Sequence, residues 1–269
     1  MTSVATPVPH DRIGTELVRE WSPEGEARAV VVLVHGIAEH SGRYERTGDL
    51  FAAAGYHVRA FDVIGHGASG GDRVDIDDWS RFHDQIESHV SWAKELGVPV
   101  VLMGHSMGGL LALGYALDGR NEPDLLVLTA PALGGGAGWQ RALAGPASRL
   151  APKLSMPQGV KGEQLSRDPD VAEAYFSDPL VHTSATVRFG KAMFDAMDDA
   201  IAKGEQLAVP TLVLHGGADV LVPPQSSAFM AELPNCERRL YPTLRHEILN
   251  EPEGPEVVAD IIKWVDTRI

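Results

Sequence analysis

The most reactive arrangement in the chain is Gly104-His105-Ser106-Met107-Gly108, which directly follows the apolar run 98–103 and opens an apolar helical stretch. A sharp strand-to-helix turn would leave the Ser106 hydroxyl exposed. The positions two before and two after it must then be tiny, because the strand and helix backbones pass close together there. A hydroxyl is a poor nucleophile near neutral pH. It needs a base, and the base needs an acid to orient it. A complete set of this kind performs acyl transfer through a covalent intermediate.

The chain order serine, acid, histidine expected for a nucleophile on such a turn selects the partners. Of eleven histidines, His246 alone follows the last acid-bearing strand end, in a loop ahead of the C-terminal helical stretch; His215 falls inside a strand segment and His182 inside an insertion. Asp219 closes Leu214-His215-Gly216-Gly217-Ala218-Asp219, at the carboxyl end of a buried strand where catalytic groups gather in open α/β sheets. One strand earlier, Thr129-Ala130-Pro131-Ala132 offers no carboxylate. Asp62 precedes the serine and suits a role in tying down the Gly65-His66-Gly67 turn. The expected catalytic residues are therefore Ser106, Asp219 and His246. Donors for a developing oxyanion are expected from the backbone N–H of Met107 and of Ile37, with Gly36 permitting the turn that aims the latter. His35 reads as a buried hydrogen-bonding residue.

The elements that must position these groups follow from the apolar pattern. Runs 29–34, 58–61, 98–103, 125–128 and 211–214 read as buried strands, with 240–241 a weaker one. Segments 44–54, 79–96, 107–117, 225–233 and 256–267 read as helices. This alternation predicts an α/β fold with a mostly parallel sheet flanked by helices. The rhythm breaks after Pro131 and resumes at Val209. It predicts residues 1–130 and 206–269 as the core and 131–205 as a packed helical cap inserted between two strands.

Composition narrows the partners. A formal net charge of −14, with no basic run, disfavours nucleic acid. No apolar run approaches the roughly 20 residues of a spanning helix. No signal peptide is visible, so the expected location is cytoplasmic or peripheral to a membrane. The single cysteine, Cys236, allows no internal disulfide and reads as a small apolar residue.

The run His35-Gly36-Ile37-Ala38-Glu39-His40-Ser41-Gly42-Arg43-Tyr44, together with Asp62-Val63-Ile64-Gly65-His66-Gly67-Ala68-Ser69 and Gly104-His105-Ser106-Met107-Gly108-Gly109, resembles the motifs of monoacylglycerol lipases. Ser166-Arg167-Asp168-Pro169, Tyr175 and Ser177-Asp178-Pro179-Leu180-Val181-His182 look like the cap of their bacterial members, and His246-Glu247-Ile248-Leu249-Asn250-Glu251 like their histidine loop. The resemblance implies the α/β-hydrolase fold and cleavage of a monoacylglycerol to fatty acid and glycerol, with neither metal nor cofactor. It places Arg43 and Tyr175 near the glycerol end of the pocket, although residue type alone fits a surface side chain equally well. At the spacing of a glycerol-binding glutamate stands Val171, leaving Asp170 or Glu173 as substitutes. Val222 replaces a cysteine of mammalian relatives, and Arg245 an aromatic residue common before the histidine. A broader carboxylesterase or lysophospholipase shares the same triad, since substrate choice resides in pocket and cap. A catalytically silent binding protein on this fold is the rival of another class.

The segment from Pro131 to Gly162 carries Arg141, Arg149, Lys153 and Lys161 but no Asp or Glu. It also carries Trp139, Leu143, Leu150, Leu154 and Met156, spaced to form one apolar helical face, with glycines on both sides as hinges. Such a face fits transient contact with a lipid interface, or packing of the cap onto the core.

Overall fold

The computed structural model describes residues 3–11, 13–136 and 138–269 of the 269-residue chain. An antiparallel pair, β1 (Val4–His10) and β2 (Gly14–Trp21), comes before the first expected strand and was not anticipated. The doubly wound part then runs β3 (Ala29–Val34), α1 (Glu45–Ala53), β4 (Tyr56–Phe61), α2 (Ser80–Glu95), β5 (Val100–His105), α3 (Met107–Leu117) and β6 (Leu125–Thr129). The insertion supplies α4 (Gly138–Leu150), β7 (Ser155–Pro157), α5 (Gly162–Leu165), α6 (Pro169–Ser177), β8 (Ser184–Thr186) and α7 (Val187–Lys203). The core resumes with β9 (Thr211–Gly216), β10 (Cys236–Tyr241) and α8 (Gly254–Asp266). The segment 225–233, expected as a helix, falls in a 3-10 helix, Pro224–Glu232, entered through Pro223 and Pro224, which cannot donate backbone N–H bonds.

Eight strands form one sheet in the order β1-β2-β4-β3-β5-β6-β9-β10, parallel from β4 to β10. Alternation along each strand sends side chains to opposite faces. Val30, Val32, Val34, Leu102 and Leu126 pack with α2, α3 and α7 on one face, while Val31, Leu33, Val101, Met103 and Val127 pack with α1 and α8 on the other. A sheet covered on both faces explains why these strands read as unbroken apolar runs. From β3 the chain goes first to one side, into β4, and then to the other, into β5. That reversal opens a crevice at the carboxyl ends of β3 and β5.

The inserted cap is fastened to the core mainly through its second half. Thr186 donates to the Val74 carbonyl and to Asp75, and the Arg188 guanidinium pairs with the same carboxylate. The His182 amide donates to the Ala38 carbonyl at 2.9 Å, and His40 Nε2 lies 2.8 Å from Asp178. By contrast, α4 packs on α7 within the cap, where Arg141 pairs with Asp198 and stacks on Phe194. The apolar face anticipated over 139–156 is helical only as far as Leu150. Leu154 follows the helix and Met156 sits in β7.

Candidate active site

At the end of β5 the backbone turns through Ser106 at φ 52°, ψ −115°, a region that non-glycine residues rarely occupy, and runs straight into α3. A Cβ on Gly104 would stand 2.2 Å from the Gly108 carbonyl oxygen, and one on Gly108 would stand 2.1 Å from that of Val34. Both glycines are therefore demanded by the crossing of strand and helix backbones. The turn lifts the Ser106 hydroxyl to the crevice mouth, although the residue stays largely buried.

His246, in the loop after β10, places Nε2 2.9 Å from Ser106 Oγ and Nδ1 2.7 Å from Asp219 Oδ2. An ionised carboxylate can only accept, so Nδ1 carries the hydrogen and Nε2 is left to accept from the serine. Asp219 is itself held: Oδ1 accepts the amides of Leu221 and Val222, each at 2.9 Å, and Oδ2 lies 3.3 Å from His215 Nε2. Burial alone would favour its neutral form, but the imidazoles of His246 and His215 and the Val222 amide hold it well below the usual carboxylate range. For His246 burial favours the neutral ring, yet the Asp219 charge and hydrogen bond prevail and raise its pKa above the ordinary imidazole value. The adjacent His105, ring centre 4.9 Å from that of His246, is pushed down to about 4 by burial and by that neighbour. One histidine of the pair is thus raised and the other lowered, the latter bonded to Thr129.

Met107 is the first residue of α3, so its amide belongs to the helix's unpaired N-terminal donors. The loop after β3 passes against the serine, and a Cβ on Gly36 would touch Ser106 Cβ at 3.4 Å. Glu39, nearly wholly buried, fixes this loop: its Oε1 accepts the Gly36 amide at 2.6 Å and the Tyr44 hydroxyl at 2.7 Å. Asp62 accepts Ser41 through backbone and side chain and the Ala68 amide through its other oxygen. It therefore ties the loop after β3 to the glycine turn rather than holding the turn alone. His35 is buried and accepts the Val63 amide, as its type suggested.

Above the serine lies a cavity of about 420 Å3. Leu143, Ala147, Phe189, Met193, Phe194 and Val222 make most of its wall apolar, while Glu39, Tyr175 and Glu247 bring polar groups to it. Tyr175 lines the cavity and Arg43 sits behind it and the two glutamates: the guanidinium carbon lies 4.8 Å from the centre of the tyrosine ring. Arg43 also bonds Glu39 at 2.5 Å and grips Glu247 with two bonds of 2.8 Å. Although burial works against it, this pairing raises the Arg43 pKa further. Asp170 and Glu173 are exposed and do not line the cavity. The carboxylates that do are Glu39 and Glu247, both inside the quoted motifs but assigned no role from sequence. Glu251 was likewise missed. The Arg245 amide donates to it, and the Arg245 guanidinium donates to the Ser166 carbonyl, so this residue fastens the histidine loop to the cap.

The family described as Serine aminopeptidase, S33, matches residues 25–253. A monoacylglycerol lipase of Mycolicibacterium smegmatis is 35% identical over 93% of this chain and 92% of its own length. Phospholipase YtpA of Bacillus subtilis is 32% identical over 90% and 96%. The crystal structure of Paleococcus ferrophilus monoacylglycerol lipase superposes with a TM-score of 0.85 at 34% identity, covering 94% of this chain and 98% of that one.

Proposed function

Because the chain belongs to the Serine aminopeptidase, S33, family of α/β-hydrolases, alongside monoacylglycerol lipases, we propose that it hydrolyses the carboxylic ester of a monoacylglycerol, releasing fatty acid and glycerol. The observation that carries the reading is the continuous hydrogen-bonded series from Asp219 through His246 to Ser106, at the mouth of a largely apolar cavity with a polar cluster beside it. In this reading Ser106 Oγ attacks the ester carbonyl while His246 Nε2 takes its proton. The amides of Ile37 and Met107 receive the oxyanion. Collapse expels glycerol, which takes the proton back from His246, and leaves the acyl group on Ser106. Water, activated by the same imidazole, then releases the fatty acid and restores the serine. The acyl chain occupies the cavity lined by Leu143, Phe189 and Met193, and the glycerol turns toward Tyr175 and the Arg43 cluster.

The cap also meets the lipid phase in this reading. Trp139, Leu143, Leu150, Leu154 and Met156 are at least half exposed on it, on a stretch, 131–162, whose charges are all basic. Contact is peripheral, since no helix among the described residues is long and apolar enough to cross a membrane.

The test is a panel of mono-, di- and triacylglycerols, lysophospholipid and short esters on the purified protein, with fluorophosphonate labelling read by intact mass. The expected result is preference for monoacylglycerol and one adduct on the Ser106 peptide, abolished in Ser106→Ala. Faster cleavage of lysophospholipid would establish the broader reading instead, and no adduct would leave a binding protein.

A further inference from the structure

The head-group end of the cavity has an unbalanced charge. Glu39 and Glu247 present two carboxylates to one guanidinium, Arg43, and all three side chains are at most 9% exposed. Burial works against ionisation of Glu39, but Arg43 and the neighbouring groups hold its pKa down to about 2. Arg43 is already engaged, because Glu39 and both oxygens of Glu247 bond its Nη1 and Nη2 and Tyr175 covers its face. Asp219 adds a further ionised carboxylate behind His246. An arginine near a pocket ordinarily invites an anion. Here the arginine is already paired with two carboxylates, and an arriving anion meets the surplus negative charge at low effective dielectric.

Resting on the monoacylglycerol reading, we propose that the Glu39–Arg43–Glu247 cluster sets head-group selectivity, with Glu247 excluding esters whose glycerol carries a phosphate while neutral glycerides enter. Glu247 is the decisive member. Glu39 is committed to the Gly36 amide and the Tyr44 hydroxyl, whereas among the described residues the Glu247 carboxylate binds only Arg43 and the Asn250 amide group. Like-charge juxtaposition is how a binding site rejects a wrong partner without losing contacts to the right one.

The test compares kcat/KM at pH 8 for three esters with one acyl chain: the 1-acylglycerol, its 3-phosphate and the acylcholine. The wild type is expected to favour the glyceride over the phosphate by at least about tenfold, with the cationic ester also ahead of the phosphate. Glu247→Gln is expected to raise the phosphate-to-glyceride ratio by about tenfold. Any effect of the variant on the His246 base is common to both substrates and cancels in the ratio. Glu24→Gln, on an exposed residue, makes the same change in net charge and should leave the ratio unmoved. A wild type that cleaves the phosphate as fast as the glyceride, or an equal shift from Glu24→Gln, overturns the inference alone. Absence of turnover on the glyceride overturns both this inference and the reading it rests on. The wild-type comparison stands even if the Glu247 variant fails to fold.

Discussion

Glu251 Oε1 accepts the Arg245 amide at 2.7 Å, so a wholly buried carboxylate holds the residue next to His246. Its second oxygen accepts Ser166 Oγ at 3.2 Å and the Arg167 amide at 3.0 Å, from the segment leading into α6. One side chain therefore sets the histidine loop and the near edge of the cap together. Glu251→Ala strands these donors in the interior, and the expected loss is about 3 kcal/mol of unfolding free energy. Chemical denaturation measures it. A loss under about 0.5 kcal/mol would mean that solvent replaces the carboxylate without penalty.

His246, the base of the proposed mechanism, is protonated at a higher pH than a free imidazole, since Asp219 raises its pKa over the opposing effect of burial. Protonated His246 cannot accept from Ser106, so kcat/KM should fall as pH drops through that raised value. Asp219→Asn removes the main raising influence. Activity should drop by about three to four orders of magnitude, and the acid limb of the residual activity should move to lower pH. Profiles between about pH 5 and 9 read both effects. An unmoved acid limb would mean that another group controls it.

Gly108→Ala forces a methyl to within 2.1 Å of the Val34 oxygen and 2.5 Å of that of His35. Strand and helix must separate, costing about 2–3 kcal/mol and displacing Ser106 from His246. Gly190→Ala in α7, where a Cβ meets nothing within 4 Å, should be neutral or stabilising by about 0.5–1 kcal/mol. Thermal melts of both, with fluorophosphonate labelling rates, make the comparison. Equal stability of the two variants would contradict the steric account.

Leu150 and Leu154 are 87% and 54% exposed and do not line the cavity. Replacing both by Ser should weaken co-sedimentation with phospholipid vesicles at least about tenfold, given roughly 1.5–3 kcal/mol per buried leucine. Rates on a water-soluble short ester should not change. Unchanged vesicle binding would confine these side chains to the cap's own packing.

That Ser106, His246 and Asp219 come together was legible in the sequence, because chain order and the neighbours at each strand end single them out. The buried strands were legible for the same local reason. Glu247 gave no such signal, since its meaning depends on Arg43, 204 residues away. Asp170 and Glu173 drew attention by spacing alone, and α6 leaves both in solvent. The β1–β2 pair escaped because Pro7 and Pro9 interrupt the strand pattern of β1, which tertiary pairing with β2 overrides. Arg245 gave no local signal either, because its partner, the Ser166 carbonyl, lies in the cap.

The two outermost strands of the sheet have a bearing on how the chain survives its own synthesis. An open strand margin is a template for another molecule, and long apolar margins seed aggregates. On one side β1 carries prolines two residues apart, Pro7 and Pro9, which have no amide hydrogen to offer a newcomer. On the other side β10 reads Cys-Glu-Arg-Arg-Leu-Tyr, with Glu237 and Arg239 paired at 2.6 Å, so an added strand would have to meet a row of charge. The apolar strands β3, β5 and β6, the most hazardous if left unpaired, lie in the middle. The sequence thus confines its stickiest segments to positions that close when the sheet forms and leaves poor templates at the rims.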